Sequence, residues 1–127
     1  MEIIKEVEQG KILEKDFDYF LSGAKKLYGL RNYSRLLLGK LVLLAINKFA
    51  GGDMRSDEGK AVVILLSEAT GVRKRTLFQY VWLWRRLGKK GIRDFSSLPF
   101  RDYRRLASSP DPKKELRKLI KERESEK

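Results

Sequence analysis

The sequence contains no cysteine and no histidine. Without cysteine there is neither a disulfide framework nor a thiolate metal site. Without histidine, zinc fingers and His-based acid–base catalysis are excluded as well. No nucleophile–base pair, paired-carboxylate spacing or phosphate-gripping Gly-rich motif is present. The acidic cluster Asp53, Asp57 and Glu58 reads as helix capping, and Gly51-Gly52 as a turn. The chain is therefore expected to be no enzyme and to carry no cofactor and no metal. Long apolar runs are missing too: the longest, Leu36 to Ile46, is interrupted by Gly39 and Lys40 and falls far short of the roughly 20 residues of a membrane span. The start, Met1-Glu2-Ile3-Ile4-Lys5-Glu6, is acidic and lacks the pattern of a signal peptide. A soluble cytoplasmic protein with no membrane partner is the expectation. Its Lys/Glu/Arg richness, with few Asn and Gln, is compatible with a thermophilic source.

Positive charge is abundant. The 127 residues carry 29 Lys and Arg against 17 Asp and Glu, a formal net charge of +12, so binding to a polyanion is the default expectation. The excess is concentrated. Residues 71–105 hold 11 Lys/Arg and 2 Asp/Glu, a balance of +9, whereas residues 1–30 are slightly acidic. A chain that needed charge only for solubility would spread it more evenly.

Strand signals are nearly absent: there is no sustained two-residue alternation and no Asn-Gly or Asp-Gly hairpin. Helical periodicity runs through almost every segment instead. The expected class is all-α, a compact bundle of about six helices containing a helix-turn-helix. Residues 1–56 are expected to form supporting or dimerising helices, and residues 57–127 the helix-turn-helix with C-terminal helices, in one compact unit. A first helix covers about Ile3 to Lys15, interrupted near Gly10, and a second about Asp16 to Tyr28. A third, about Ser34 to Ala50, is apolar nearly all round, which suits a core helix or, failing that, a dimer interface. Ser56 or Asp57 caps a fourth, about Asp57 to Ala69, which is expected to turn Ala61, Val62, Ile64, Leu65 and Leu66 inward. A long helix then runs from about Lys74 to Leu87. Gly88-Lys89-Lys90-Gly91 reads as a basic turn, followed by a short helix from about Pro99 to Ala107. The last helix covers about Pro112 to Lys121, and the charged tail from Glu122 is expected to fray.

The most informative stretch is Leu66-Ser67-Glu68-Ala69-Thr70-Gly71-Val72-Arg73-Lys74-Arg75-Thr76-Leu77-Phe78-Gln79-Tyr80. A helix-turn-helix needs a small residue where its helices touch, here Ser67, and a glycine at the turn, here Gly71. Leu66, Val72, Leu77 and Tyr80 fall where the interior angle is packed. Leu77, Tyr80, Val81, Trp84 and Leu87 share the face expected to pack on preceding helices. Arg75, Phe78, Gln79, Trp82 and Arg86 lie on another face, towards DNA.

Double-stranded DNA is the expected partner, met by Arg73, Lys74, Arg75, Thr76, Phe78, Gln79, Arg86, Lys89, Lys90 and Arg93. Arg75 and Gln79 suit base contacts, since Arg favours guanine and Gln adenine in the major groove. Lys74, Lys89, Lys90 and Arg93 suit phosphates. Arg73, Lys74 and Arg75 stand at a helix start where the macrodipole prefers acids, and a bound phosphate would compensate. Phe78 and Trp82 are expected to be buried against a later helix, with contact to a thymine methyl or a dimer contact as alternatives. Arg101, Arg104 and Arg105 form a second basic cluster, either solvated or against the DNA backbone. Lys113, Lys114, Arg117, Lys118 and Lys121 belong to an exposed amphipathic helix packed by Leu116, Leu119 and Ile120.

The stretch from Leu66 to Tyr80 resembles the helix-turn-helix of the ParB/KorB-like partition and plasmid-repressor proteins. The later segment Phe95-Ser96-Ser97-Leu98-Pro99-Phe100-Arg101-Asp102-Tyr103-Arg104-Arg105-Leu106-Ala107 is similar to the helix that follows the recognition helix there. The similarity covers residues 57–120. It implies sequence-specific binding to a short, often palindromic duplex site by a homodimer, in transcriptional control or in plasmid or virus maintenance at the nucleoid. Two features depart from the family. Arg73 stands where a Ser or Thr N-cap is usual, and residues 1–56 lack the nucleotide-binding arginine motif, so a nucleotide-dependent clamp is not implied. Two other classes stay open: a nonspecific DNA- or RNA-binding basic protein, and a protein-interaction subunit using Leu36–Phe49.

Overall fold

The computed structural model of the chain describes residues 2–30, 32–96, 98 and 102–125. Among these residues there are seven α-helices, one 3-10 turn and no strand, as the periodicity predicts. The helices are α1 (Glu2–Glu8), α2 (Phe17–Tyr28), α3 (Asn32–Phe49), α4 (Asp57–Thr70), α5 (Lys74–Ser96), α6 (Tyr103–Ser108) and α7 (Pro112–Ser125), with the 3-10 turn Lys11–Glu14 between α1 and α2. No helix among them is long and apolar enough to cross a membrane.

Start signals in the sequence act as capping chemistry requires. The Asp16 carboxylate accepts from the Tyr19 amide at 2.9 Å, and the Ser56 hydroxyl accepts from the Gly59 amide at 3.0 Å. Each satisfies a backbone donor that a first helical turn leaves without a partner.

The centre of the molecule is α3. Leu36, Leu37, Leu38, Leu41, Val42, Ala45 and Ile46 are all buried, so this helix forms the core, with Leu43, Leu44 and Phe49 half-buried against it. Phe20 and Phe17 of α2 meet Phe49 edge-on, with ring centroids 5.3 and 5.0 Å away. Across α3 lies α5, at Gly39. A Cβ at that position would sit 2.4 Å from the Tyr80 carbonyl oxygen and 2.6 Å from its carbon. The two backbones approach as closely as glycine permits.

Several expectations need correction. The inward stripe of α4 is Gly59, Val62, Val63 and Leu66, whereas Ala61, Ile64 and Leu65 face solvent. Gly59 sets this phase: its face lies against the loop backbone, where a Cβ would be 2.2 Å from the Asp53 carbonyl oxygen. The basic turn expected at residues 88–91 is a single break. Gly88 has φ 69° and ψ −176°, and helix resumes after it because Ile92 and Phe95 have core positions to fill. Pro99, Phe100 and Arg101 lie outside the described residues, so of that expected helix only its continuation as α6 is described. The tail does not fray at Glu122. Helix α7 runs to Ser125, held by Arg123, which reaches both oxygens of the buried Asp102 at 3.0 Å, and by Arg105, which pairs with Glu115 and Glu122.

Candidate nucleic-acid interface

Between α4 and α5 the chain turns in three residues. Gly71 adopts φ 76°, and its amide donates to the Ser67 carbonyl at 2.8 Å. No atom lies within 4 Å of where its Cβ would be, so glycine is required here for its backbone angle and not for space. Two hydroxyls stitch the turn. Ser67 donates to the Val72 carbonyl at 2.6 Å, while Thr70 donates to the Leu66 carbonyl at 2.8 Å and accepts from the Val72 amide at 3.2 Å. Val72, Leu66, Leu77 and Tyr80 are buried in the angle, as the spacing predicts. Arg73 supplies only its carbonyl to the new helix, accepting from Leu77 at 3.0 Å, and its side chain is exposed.

From Lys74 to Leu87, α5 has two unlike faces. Leu77, Tyr80, Val81, Leu83 and Leu87 are buried. The Tyr80 hydroxyl, packed in that interior, is pushed up to about 12 by burial. The opposite face carries Lys74, Arg75, Phe78, Trp82, Arg85 and Arg86. Phe78 is 44% exposed and Trp82 is half-buried, which overturns the expectation that both pack beneath a later helix. The reason is rotational: the core already takes the side of α5 that meets α3, Phe78 stands away from it, and Trp82 only partly packs against it. Arg86 lies over the Trp82 ring with its guanidinium carbon 5.6 Å from the centroid. No Asp or Glu occurs anywhere from Ala69 to Arg93; the carboxylate of α5 is Asp94, beyond the break at Gly88.

Arg85 is missing from the sequence-derived set, although it falls on the same face as Phe78 and Trp82 at helical spacing. The fold adds two cations that sequence reasoning had no means to place there. Arg55 and Lys60 join Phe78 and Arg85 along a groove of about 580 Å³ that runs beside the Gly52–Met54 loop. The one carboxylate on its lining is Asp53, which accepts from the Arg55 amide at 2.9 Å.

Other expected contacts are redirected. Gln79 is half-buried, and its amide oxygen accepts from the Tyr103 hydroxyl at 2.8 Å. Bidentate pairing with adenine uses that oxygen, so α6 competes for the group expected to read a base. Burial, and secondarily Tyr80, raises the Tyr103 hydroxyl well above the ordinary tyrosine range, which keeps it a donor. Thr76 lies half-buried at the edge of the core face. Lys90 lines a groove against α7 together with Lys113 and Arg117, away from Phe78.

Lys89 and Arg93 have a protein partner. Both reach the Glu8 carboxylate, at 3.4 and 2.9 Å, and Tyr33 donates to the same oxygen at 2.5 Å. Lys40 donates to the Glu8 carbonyl at 2.6 Å and lies over the Trp84 ring. The carboxylate of α1 thus offsets part of the charge that these expected phosphate contacts carry. Burial pushes the Glu8 carboxyl up, but the Tyr33 hydroxyl, Lys89 and Arg93 outweigh it, and the net shift is down from 4.5. A depressed carboxyl stabilises the fold above its unfolded-state value and loses that contribution as pH falls through the folded one. Glu8→Gln is expected to cost about 1 kcal/mol near neutral pH, a modest figure because Lys89 and Arg93 are half in solvent. In urea melts of both proteins, the difference should shrink to nothing well below pH 4.5.

Arg105 of the second basic cluster is bound to Glu115 and Glu122, Arg104 is exposed, and Arg101 lies outside the described residues. No group of three or more carboxylates among the described residues is arranged to hold a metal ion. In comparisons with known proteins, no family model, no curated protein and no solved structure matches this chain.

Proposed function

We propose that the protein binds double-stranded DNA in a sequence-dependent way, with the first segment of α5 in the major groove. The observation that carries this reading is the outer face of Lys74, Arg75, Phe78, Trp82, Arg85 and Arg86, cationic and aromatic with no carboxylate in the sequence from Ala69 to Arg93. It stands directly after a glycine turn, on a helix whose other side is locked into the core. A rigid helix projecting long cations suits a duplex groove, and the resemblance of residues 66–80 to partition and repressor proteins points the same way.

Arg75 takes the role of guanine reader, and exposed Phe78 that of an apolar contact to a thymine methyl. Arg73, Lys74, Arg85, Arg55 and Lys60 serve as phosphate contacts, the last three along the groove. A phosphate beside Arg73 and Lys74 also offsets the cost of cations at a helix start. Regulation of transcription, or maintenance of a plasmid or virus, is the setting this chemistry fits.

Selection from a random duplex pool at physiological salt tests the reading. An enriched motif is expected, with structured RNA and random duplex competing poorly. Recovery of no motif, with RNA competing as well as duplex, would replace it with nonspecific polyanion binding. Within the enriched site, Phe78→Ala is expected to lose about tenfold at a thymine position and little elsewhere, read by competition with single-base variants.

A further inference from the structure

Helix α4 has a second apolar stripe besides the one that packs inward. Ala61, Ile64 and Leu65 follow at i, i+3 and i+4, with Ile64 41% and Leu65 44% exposed. This is the spacing by which a helix is seated in a groove. Carboxylates bracket the stripe, Asp57 and Glu58 at one end and Glu68 at the other, and Lys60 is the single cation of the helix. On a protein of net charge +12, such an acidic, apolar face stands apart.

Its complement lies on α7. There an apolar groove around Ile120 is rimmed by Lys114, Arg117, Lys118 and Lys121. The carboxylates of α7 nearest the rim are spent elsewhere, since Glu115 and Glu122 pair with Arg105. A rim made only to meet phosphates would need no apolar floor. A floor of this kind fits the side of another helix.

We infer that the outer face of α4 in one copy docks into the α7 groove of a second copy of this chain. Charge selects this pairing. Two α4 faces brought together would set Asp57 and Glu58 against Glu68 or against themselves, and two α7 grooves would oppose lysines; only α4 against α7 pairs opposite signs. The two surfaces differ, so α4 on α7 either repeats head to tail, leaving one free α4 and one free α7 at the ends, or closes as a two-fold pair that makes the contact twice. The area is small, and the association is correspondingly weak and salt-sensitive. None of this rests on the reading of α5 as a DNA-binding helix.

Sedimentation velocity of the full chain without nucleic acid provides the test, at low salt and from roughly 10 μM to 1 mM. The weight-average sedimentation coefficient is expected to rise above the monomer value with concentration and to fall back to it in high salt. D57K/E68K and K118E/K121E should each weaken association at least tenfold. An equimolar mixture of the two double variants should associate again, since each then meets a complementary partner. All the substituted side chains are exposed, and far-UV circular dichroism with thermal melts confirms that the variants fold. A monomer throughout the range, or a mixture that fails to associate, overturns the inference. So does the finding that K118E/K121E lowers duplex affinity and leaves self-association untouched, which would assign the α7 groove to phosphates.

Discussion

Gly39→Ala is expected to cost about 3 kcal/mol or more, or to abolish cooperative unfolding altogether. The methyl group would enter a space already held by the Tyr80 carbonyl, at 2.4 Å from its oxygen. A side-chain neighbour could rotate away, but here the neighbour is the backbone of a helix whose next residues, Val81 and Leu83, are themselves buried. Relief requires moving α3 and α5 apart along a packed seam, and the loss of contacts spreads down both helices. A domain of this size has only about 5–15 kcal/mol to lose in total. Urea unfolding followed by tryptophan fluorescence reads the effect, since Trp82 and Trp84 both lie on α5. A midpoint unchanged from wild type would show that the helices are not in the contact described. Gly10→Ala serves as the comparison. Its φ of 75° imposes backbone strain with no atom within 4 Å, so its cost should be nearer 1 kcal/mol.

The second large effect concerns binding. The double variant R75E/R85E is expected to lose duplex affinity by two to three orders of magnitude at physiological salt while keeping its fold, because both side chains are exposed. With about five phosphates neutralised, wild type should show a slope of log K against log salt of roughly −4 to −5. Replacing Arg85 by alanine alone should reduce the steepness by about 1, with the sequence preference kept. Arg75→Ala should instead flatten the preference itself. Lys89→Ala provides the contrast: a cation already shared with Glu8 should change the slope by less than Arg85 does. Fluorescence anisotropy on the selected duplex and on random duplex, across a salt series, separates these outcomes. Equal losses for Lys89→Ala and Arg85→Ala would deny the α5 face its special place.

The all-helical class was legible because apolar residues recur at helical spacing and strand signals are scarce. The cap at Ser56 and the turn at Gly71 were legible too, since both act through neighbours within a few residues. What escaped depends on distant partners. Ala61 to Leu66 is apolar without a break, so periodicity alone cannot orient α4, and the close fit of Gly59 on the Asp53–Met54 backbone does so instead. Gln79 looks available until Tyr103, 24 residues on, takes its oxygen. Arg93 looks like one more cation of a basic run until Glu8, 85 residues away, pairs with it. In the candidate site, the run of cations was plain to see, but which of them stay unneutralised is decided by the three-dimensional fold. Arg85 is the exception, because a helical wheel places it beside Phe78 and Trp82 without any tertiary knowledge.

The break at Gly88 divides α5 mechanically as well as in sequence. Its ladder of hydrogen bonds is interrupted where the backbone leaves helical angles, and Gly91 gives the room, since a Cβ there would lie 2.7 Å from that of Leu87. The axis of α5 therefore changes direction at one pair of dihedral angles. Its rear segment is tied to α1 through Lys89 and Arg93, while its front segment is held by the core against α3. The chain is bent here at a single residue, with each arm moored separately.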